Sequence, residues 1–171
     1  MSSRERDDAY TGDAMPDSDA NKHEHGGLDQ SALAHVMGYN LAQADIPARK
    51  IFFKHIGQPL KLRPVEFTIL LLLMSNKDVT QKQLCQTLAV TAPNVTILLD
   101  RMQERGLVTR VRNETDRRSQ HILLTQEGAA LARQAHETSL TMENEPLRHL
   151  SAAERAMLIE LLQKVARHRR V

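Results

Sequence analysis

Apolar side chains recur at three- and four-residue spacing along most of this chain, the period of helices with one buried face. Leu33, Met37, Leu41, Ala44, Ala48, Ile51 and Phe52 set the rhythm first. Pro47 interrupts it, so either one long helix kinks there or a second helix begins with Asp45 as its N-cap. Gly57 and Pro59 close the segment. Pro64 suits the first turn of a helix over about Pro64 to Ser75. That helix is apolar almost all round, which places it centrally in the core. Thr80 and Gln83, in T-x-x-Q order, predict a capping box opening a helix to about Leu88. After a short turn, a helix is expected from about Ala92 to Arg105, with Gly106 where helices end in a left-handed residue.

The period then changes. Leu107–Val111 and His121–Leu124 read as two short strands around a polar loop, and a short strand near Val79 could add a third. Thr125 caps a long helix expected to reach about Glu145, where Pro146 stops it. Ser151 and Glu154 repeat the capping box, S-x-x-E, and open a last helix through Arg167. The predicted fold is mainly α with a small β-wing.

Composition agrees with packed helices. Of 171 residues, 41% are hydrophobic but only 3% aromatic, with no Trp, so the core is aliphatic. Residues 1–27 are rich in Asp, Ser, Gly and Asn and are expected to be disordered. Residues 1–30 carry three basic and eight acidic side chains, a formal −5; the remainder carries 20 basic and 13 acidic, a formal +7. A basic body with an acidic tail points to a polyanionic partner. One cysteine, Cys85, fits a reducing compartment and reads as a small buried hydrophobe. The N-terminus lacks an apolar signal region, and the longest apolar run, Ile69 to Met74, is too short to span a bilayer; a cytoplasmic protein without membrane contact is expected.

The candidate chemistry starts with the helix from Ala92. Val95, Leu98, Leu99 and Met102 share one face and bury it. The other side shows Pro93, Ile97, Asp100 and Glu104, edged by Asn94, Arg101 and Thr96, and the tip is Thr91-Ala92-Pro93-Asn94. A DNA-reading helix needs an apolar back, a positive N-terminal dipole for phosphates and short polar groups near its tip. Asn can bond adenine and Arg guanine in bidentate fashion, while Thr and Ile methyls can touch thymine. Asn94, Thr96, Ile97 and Arg101 are therefore candidate base readers, with Thr91 and Pro93 at the tip and Gln81 and Lys82 near phosphates. Taken singly, Asn94 is also an ordinary helix-start residue and Arg101 an ordinary solvated charge.

The loop strengthens the first reading. Arg110, Arg112, Arg117 and Arg118 fall within nine residues. An arginine at a hairpin tip can follow the minor groove, where negative potential is concentrated. Asp116 can hold a guanidinium in a fork.

The stretch "VTQKQLCQTLAVTAPNVTILLDRMQERGLVTRVRNETDRRSQHILLT" resembles the winged helix–turn–helix of the MarR family of bacterial transcription regulators. "LLDRMQERGLV" and "DRRSQHILLT" are its most specific parts, and the likeness extends over about Leu33 to Arg167. Pro47 in the first helix and the acidic tail depart from the family pattern. The resemblance implies that Arg118 enters the minor groove while Asp116 braces the wing. It also implies an obligate homodimer built from N- and C-terminal helices. The apolar surface of Leu33, Met37, Leu41, Met157, Leu158, Leu161, Leu162 and Val165 asks for the same pairing.

Four regions follow: an acidic tail, 1–27; an N-terminal dimerisation region, 28–63; a winged helix–turn–helix, 64–124; and C-terminal dimerisation helices, 125–171. The expected partner is double-stranded DNA bearing an inverted repeat, with half-sites about one helical turn apart. The family further implies a pocket for a small, aromatic-acid-like effector. His35 and Tyr39 share a helix face, as do Arg49 and Phe53. These four, with Phe67, are the candidate ligand residues.

A protein–protein adaptor is the alternative reading, but it would not need the polar tip at Asn94 and Thr96. No nucleophile–base pair or Gly-rich phosphate loop points to an enzyme, and no cofactor is expected. The histidines lack metal-ligand spacing, apart from an incidental "HEH" at His23–His25 in the tail.

Overall fold

The computed structural model describes residues 27–112 and 120–168. The acidic tail up to residue 26 and the loop 113–119 lie outside the described residues, and with them "HEH" and Asp116, Arg117 and Arg118. The chain divides into two compact units, Met1–Gln43 and Ala44–Val171.

In the first unit, Asp29 accepts a hydrogen bond from the Ser31 backbone N–H at 2.9 Å and starts a 3-10 turn, Ser31–Leu33. That bond holds the Asp29 carboxyl below its usual range. The Asn40 amide donates to the Ala34 and Val36 carbonyls at 3.0 and 2.9 Å. Helix α1, Met37–Phe52, begins only after this turn. His35 therefore sits in the turn and does not share a helix face with Tyr39, as the spacing had suggested. The expected pairing fails because the Asp29-capped turn uses up the residues that a longer helix would need. Leu28, Leu33, Val36, Met37 and Leu41 are exposed.

Pro47 lies inside α1, which resolves the earlier alternative in favour of one helix. A π-turn, Phe53–Gly57, follows it, closed by a Gln58 N–H to Phe53 carbonyl bond of 2.8 Å. Nothing in the spacing of apolar residues distinguished this wider turn from ordinary helix.

The second unit is built around helix α2, Pro64–Ser75, which buries Ile69, Leu70 and Leu73. Phe67, half-buried, meets Phe52 edge-on with ring centres 5.5 Å apart. Helix α3, Gln81–Leu88, opens on the Thr80–Gln83 box: the Thr80 N–H donates to Gln83 Oε1 at 2.8 Å, and the Gln83 N–H returns to Thr80 Oγ1 at 3.3 Å. Helix α4 is Ala92–Glu104. Strands β1, Val108–Arg112, and β2, Gln120–Leu124, pair antiparallel, with Val108 opposite Leu124 and Arg112 opposite Gln120. The expected third strand is a single bridge between Thr80 and His121, with the Ile122 N–H donating to the Val79 carbonyl at 2.8 Å.

Helix α5, Gln126–Ser139, packs on α2, β2 and the π-turn. Thr125 Oγ1 accepts the Gly128 N–H at 3.0 Å and donates to the Gly106 carbonyl at 2.6 Å, while the Thr125 N–H donates to the Leu107 carbonyl at 3.2 Å. The helix stops six residues short of the expected Glu145. Thr138 and Ser139 hydroxyls turn back to the carbonyls of Gln134 and His136, competing with further helical bonding. A run of turns follows, and Arg155 pins it: its Nη2 donates to the Leu147 carbonyl at 2.6 Å and to the Asn144 carbonyl at 3.3 Å.

Helix α6, Ala152–Arg167, begins with the expected box: the Ser151 N–H donates to Glu154 Oε2 at 2.7 Å, and the Glu154 N–H donates to Ser151 Oγ at 3.2 Å. It leaves Met157, Leu158, Ile159, Leu161, Leu162 and Val165 exposed. Among the described residues, no helix is long and apolar enough to cross a membrane.

Candidate nucleic-acid interface

The turn between α3 and α4 needs Ala89 in a left-handed conformation (φ 52°), unusual for a residue with a side chain. The Val90 N–H then reaches the Cys85 carbonyl at 3.1 Å, so the chain reverses within four residues. Cys85 itself is half-buried against the core. Thr91 starts α4 without a side-chain cap. The N–H groups of Ala92 and Asn94 in the first turn of α4 are thus left open to an outside acceptor, Pro93 having none.

Val95, Leu99 and Met102 are fully buried on the back of α4, and Leu98 is half-buried. The front is exposed at Thr91, Pro93, Asn94, Ile97, Asp100 and Arg101. Ile97 is 53% exposed, a large apolar side chain in water between polar neighbours. Thr96 is turned partly inward. Its hydroxyl donates to the Ala92 carbonyl at 2.9 Å and accepts from Gln81 Nε2 at 2.7 Å; Gln81 also reaches the Ala92 carbonyl at 3.2 Å. Gln81 therefore clamps α3 to the first turn of α4, while Lys82 beside it is exposed.

The hairpin is fixed to α4 by a residue that sequence reading placed only among a cluster of arginines. Arg110 Nη2 lies 2.6 Å from Asp100 Oδ1, and Arg110 Nη1 donates to Gln103 Oε1 at 3.1 Å. Strand alternation was the available signal: Arg110 follows the buried Val108 by two and shares its face. Arg112 ends β1 and is exposed.

The far end of α4 is held by a buried carboxylate that sequence reading missed altogether. Glu66, 2% exposed, accepts the Arg63 backbone N–H at 2.9 Å and Arg105 Nη1 at 3.1 Å through the same oxygen. Its position three residues after Arg63 in a Pro-started helix hinted at the N-terminal bond; nothing local hinted at Arg105, 39 residues away.

Of the candidate ligand residues, His35 is exposed, and Tyr39 is half-buried with its hydroxyl bonded to Gln30. Both belong to the first unit. In the second unit, Arg49 is ion-paired with Asp45, Phe53 is 63% exposed, and Phe67 packs against the core.

A helix–turn–helix whose second helix presents a polar tip, followed at once by an antiparallel hairpin braced to that helix, defines a winged helix–turn–helix protein. The chain belongs to the MarR family. Residues 60–119 match that family, and a Bacillus subtilis protein, the organic hydroperoxide resistance transcriptional regulator, is 32% identical over 118 residues, covering 66% of this chain and 80% of that protein. The fold is shared with the transcriptional repressor CouR, in a structure bound to a 23-mer DNA duplex (32% identity, TM-score 0.75, 81% of this chain and 98% of that one). A second CouR structure, bound to p-coumaroyl-CoA, gives 29% identity and a TM-score of 0.72 over 82% of this chain and 99% of that one. A mutant MarR from Escherichia coli complexed with operator DNA is 27% identical, with a TM-score of 0.71 over 81% of this chain and 99% of that one.

Proposed function

We propose that this protein is a homodimeric, sequence-specific DNA-binding repressor of transcription, released from its operator by a small-molecule ligand. The observation that carries this reading is the front of α4, where Asn94, Ile97 and Arg101 stand exposed on a helix whose back is buried at Val95, Leu99 and Met102 and whose N-cap residue makes no side-chain cap bond. The likeness to CouR and MarR, both solved on DNA, supports it.

In this reading α4 enters the major groove. Asn94, Arg101 and Ile97 read base edges, and the open backbone N–H groups of Ala92 and Asn94 meet a phosphate. Lys82 contacts a neighbouring phosphate, while Gln81 and Thr96, being bonded to each other, set the angle of α4. Arg112 approaches the backbone along the wing. Asp116, Arg117 and Arg118 carry the minor-groove contact that their sequence pattern implies. The exposed apolar face of α6 forms the dimer contact, since six large side chains on one helix otherwise remain in water. Two copies would then read an inverted repeat from within the cytoplasm. The effector reading is supported by the CouR complex with p-coumaroyl-CoA. No catalytic residue, metal or cofactor enters this account.

Fluorescence anisotropy on the DNA upstream of the protein's own gene, beside a scrambled duplex and at several salt concentrations, tests the reading. Tight, salt-dependent preference for the native duplex is expected, and Arg118→Ala should abolish most of it without changing dimerisation. Equal weak binding to both duplexes, with fragments selected from the whole genome also showing no preference, refutes it.

A further inference from the structure

Away from α4, the second unit carries a cleft of about 550 Å³ lined by Lys50, Ile51, Lys54, His55, Glu145, Pro146, Arg148 and His149. That volume falls in the range of small-molecule sites. One wall is the end of α1 with its π-turn; the other is the run of turns between α5 and α6.

The charge on these walls is unbalanced. Lys50, Lys54 and Arg148 face one carboxylate, Glu145, and none of the three makes an ion pair among the described residues. Lys50 and Lys54 are also four apart, a like-charge spacing that costs a helical segment a few tenths of a kcal/mol. Such a cluster gains from an anion that fills it. The second wall is held in advance, since Arg155 on α6 pins the Asn144 and Leu147 carbonyls on either side of Glu145 and Pro146. A wall fixed before binding lowers the ordering cost of a ligand. Imidazole N–H groups of His55 and His149 add donors, and Ile51 with Pro146 offers apolar contact.

We propose that this cleft binds a phosphorylated small molecule, its phosphate or diphosphate held by Lys50, Lys54 and Arg148 and its carbon skeleton laid against Ile51 and Pro146. Acting as the effector site of the regulator is the part that rests on the DNA-binding reading; anion binding itself does not.

The experiment is isothermal titration calorimetry of the full chain with inorganic pyrophosphate at physiological salt. Saturable binding at one site per chain is expected, weakened about tenfold or more by the double variant Lys54→Ala, Arg148→Ala and unchanged by Arg101→Ala. A second pair, Lys54→Gln with Arg148→Gln, keeps long polar side chains if the alanine variant melts early. The proposal is overturned by a linear, non-saturating isotherm, by undiminished affinity in a folded double variant, or by loss of binding in Arg101→Ala, which would put the anion on α4. Adding pyrophosphate to the DNA complex separates the two readings. A chain that binds pyrophosphate in the cleft but prefers no DNA loses the regulator reading and keeps the site; a chain that holds its operator but takes up no pyrophosphate does the reverse.

Discussion

Arg110 on β1 grips Asp100 on α4 across 2.6 Å, and with Gln103 it makes one polar joint between the hairpin and the helix that precedes it. The pair is partly exposed, with side chains at 21% and 50%, so its worth to stability is about 1 kcal/mol or less. Its worth to DNA binding is expected to be larger, because in the proposed complex it sets the angle between the helix and the hairpin that would contact adjoining grooves. Arg110→Ala should leave the denaturation midpoint nearly unchanged yet weaken operator affinity about tenfold. Asp100→Asn should do the same, and the double variant should be no worse than either single one, as a mutant cycle measures. Fully additive losses would mean that the two residues act separately.

Glu66 makes the opposite kind of pair. Its carboxylate is buried, so removing its partner strands a charge out of water. Arg105→Ala is expected to cost about 1–3 kcal/mol by urea denaturation, discounted from a fully buried pair because Arg105 is 33% exposed. Glu66→Gln should cost less, since an amide oxygen can still accept the Arg63 N–H. A larger loss for Glu66→Gln than for Arg105→Ala would contradict this account.

Among the described glycines, Gly128 is the one least able to accept a side chain. A Cβ there would lie 1.9 Å from the Leu107 carbonyl oxygen and 2.8 Å from its carbon. Both obstacles are backbone, so Gly128→Ala must displace either the start of α5 or the start of β1. A cost of about 1–3 kcal/mol is expected, together with broadened or shifted amide resonances in Leu107 and Val108. Gly38→Ala has nothing within 4 Å of its added methyl and serves as a control expected to be neutral or slightly stabilising.

Glu154 gives a pH signature. The Ser151 backbone N–H, and then the Ser151 hydroxyl, hold its carboxyl below the usual glutamate value. A group depressed in the folded state contributes stability that is present above its unfolded pKa and is lost as pH falls through the folded pKa. Helix α6 should therefore fray first at its N-terminus on acidification. Carboxyl chemical shifts should place the Glu154 midpoint below the ordinary glutamate value, and Ser151→Ala should raise it. A Glu154 midpoint at the ordinary glutamate value would rule out the box in solution.

What could be read from sequence was what is decided within a few residues. Both capping boxes, Thr80 with Gln83 and Ser151 with Glu154, formed as spaced, and α2 took the central position its all-round apolar face required. Of the candidate interface, the buried back and exposed front of α4 followed from its period, except that Thr96 and Gln81 turned towards each other. The misses share a cause. The early end of α5 depends on Thr138 and Ser139 choosing carbonyls over solvent, and on Arg155 reaching back across the turns. The Glu66–Arg105 pair joins residues 39 apart. The cleft exists only because the turns after α5 lie beside the π-turn, which apolar spacing does not announce.

Thr125 caps α5 by accepting the Gly128 N–H and ties it to Gly106 and Leu107 by one hydrogen bond each, and Gly128 seats its backbone directly on the Leu107 carbonyl. The junction leaves little room for α5 to shift against the hairpin, so the two are expected to move together. Helix α5 also rests against the π-turn that walls the cleft. A molecule that occupied the proposed cleft and displaced the π-turn would press on α5 and, through this junction, on the hairpin, so the expected reading at the other end of the unit is a change of angle.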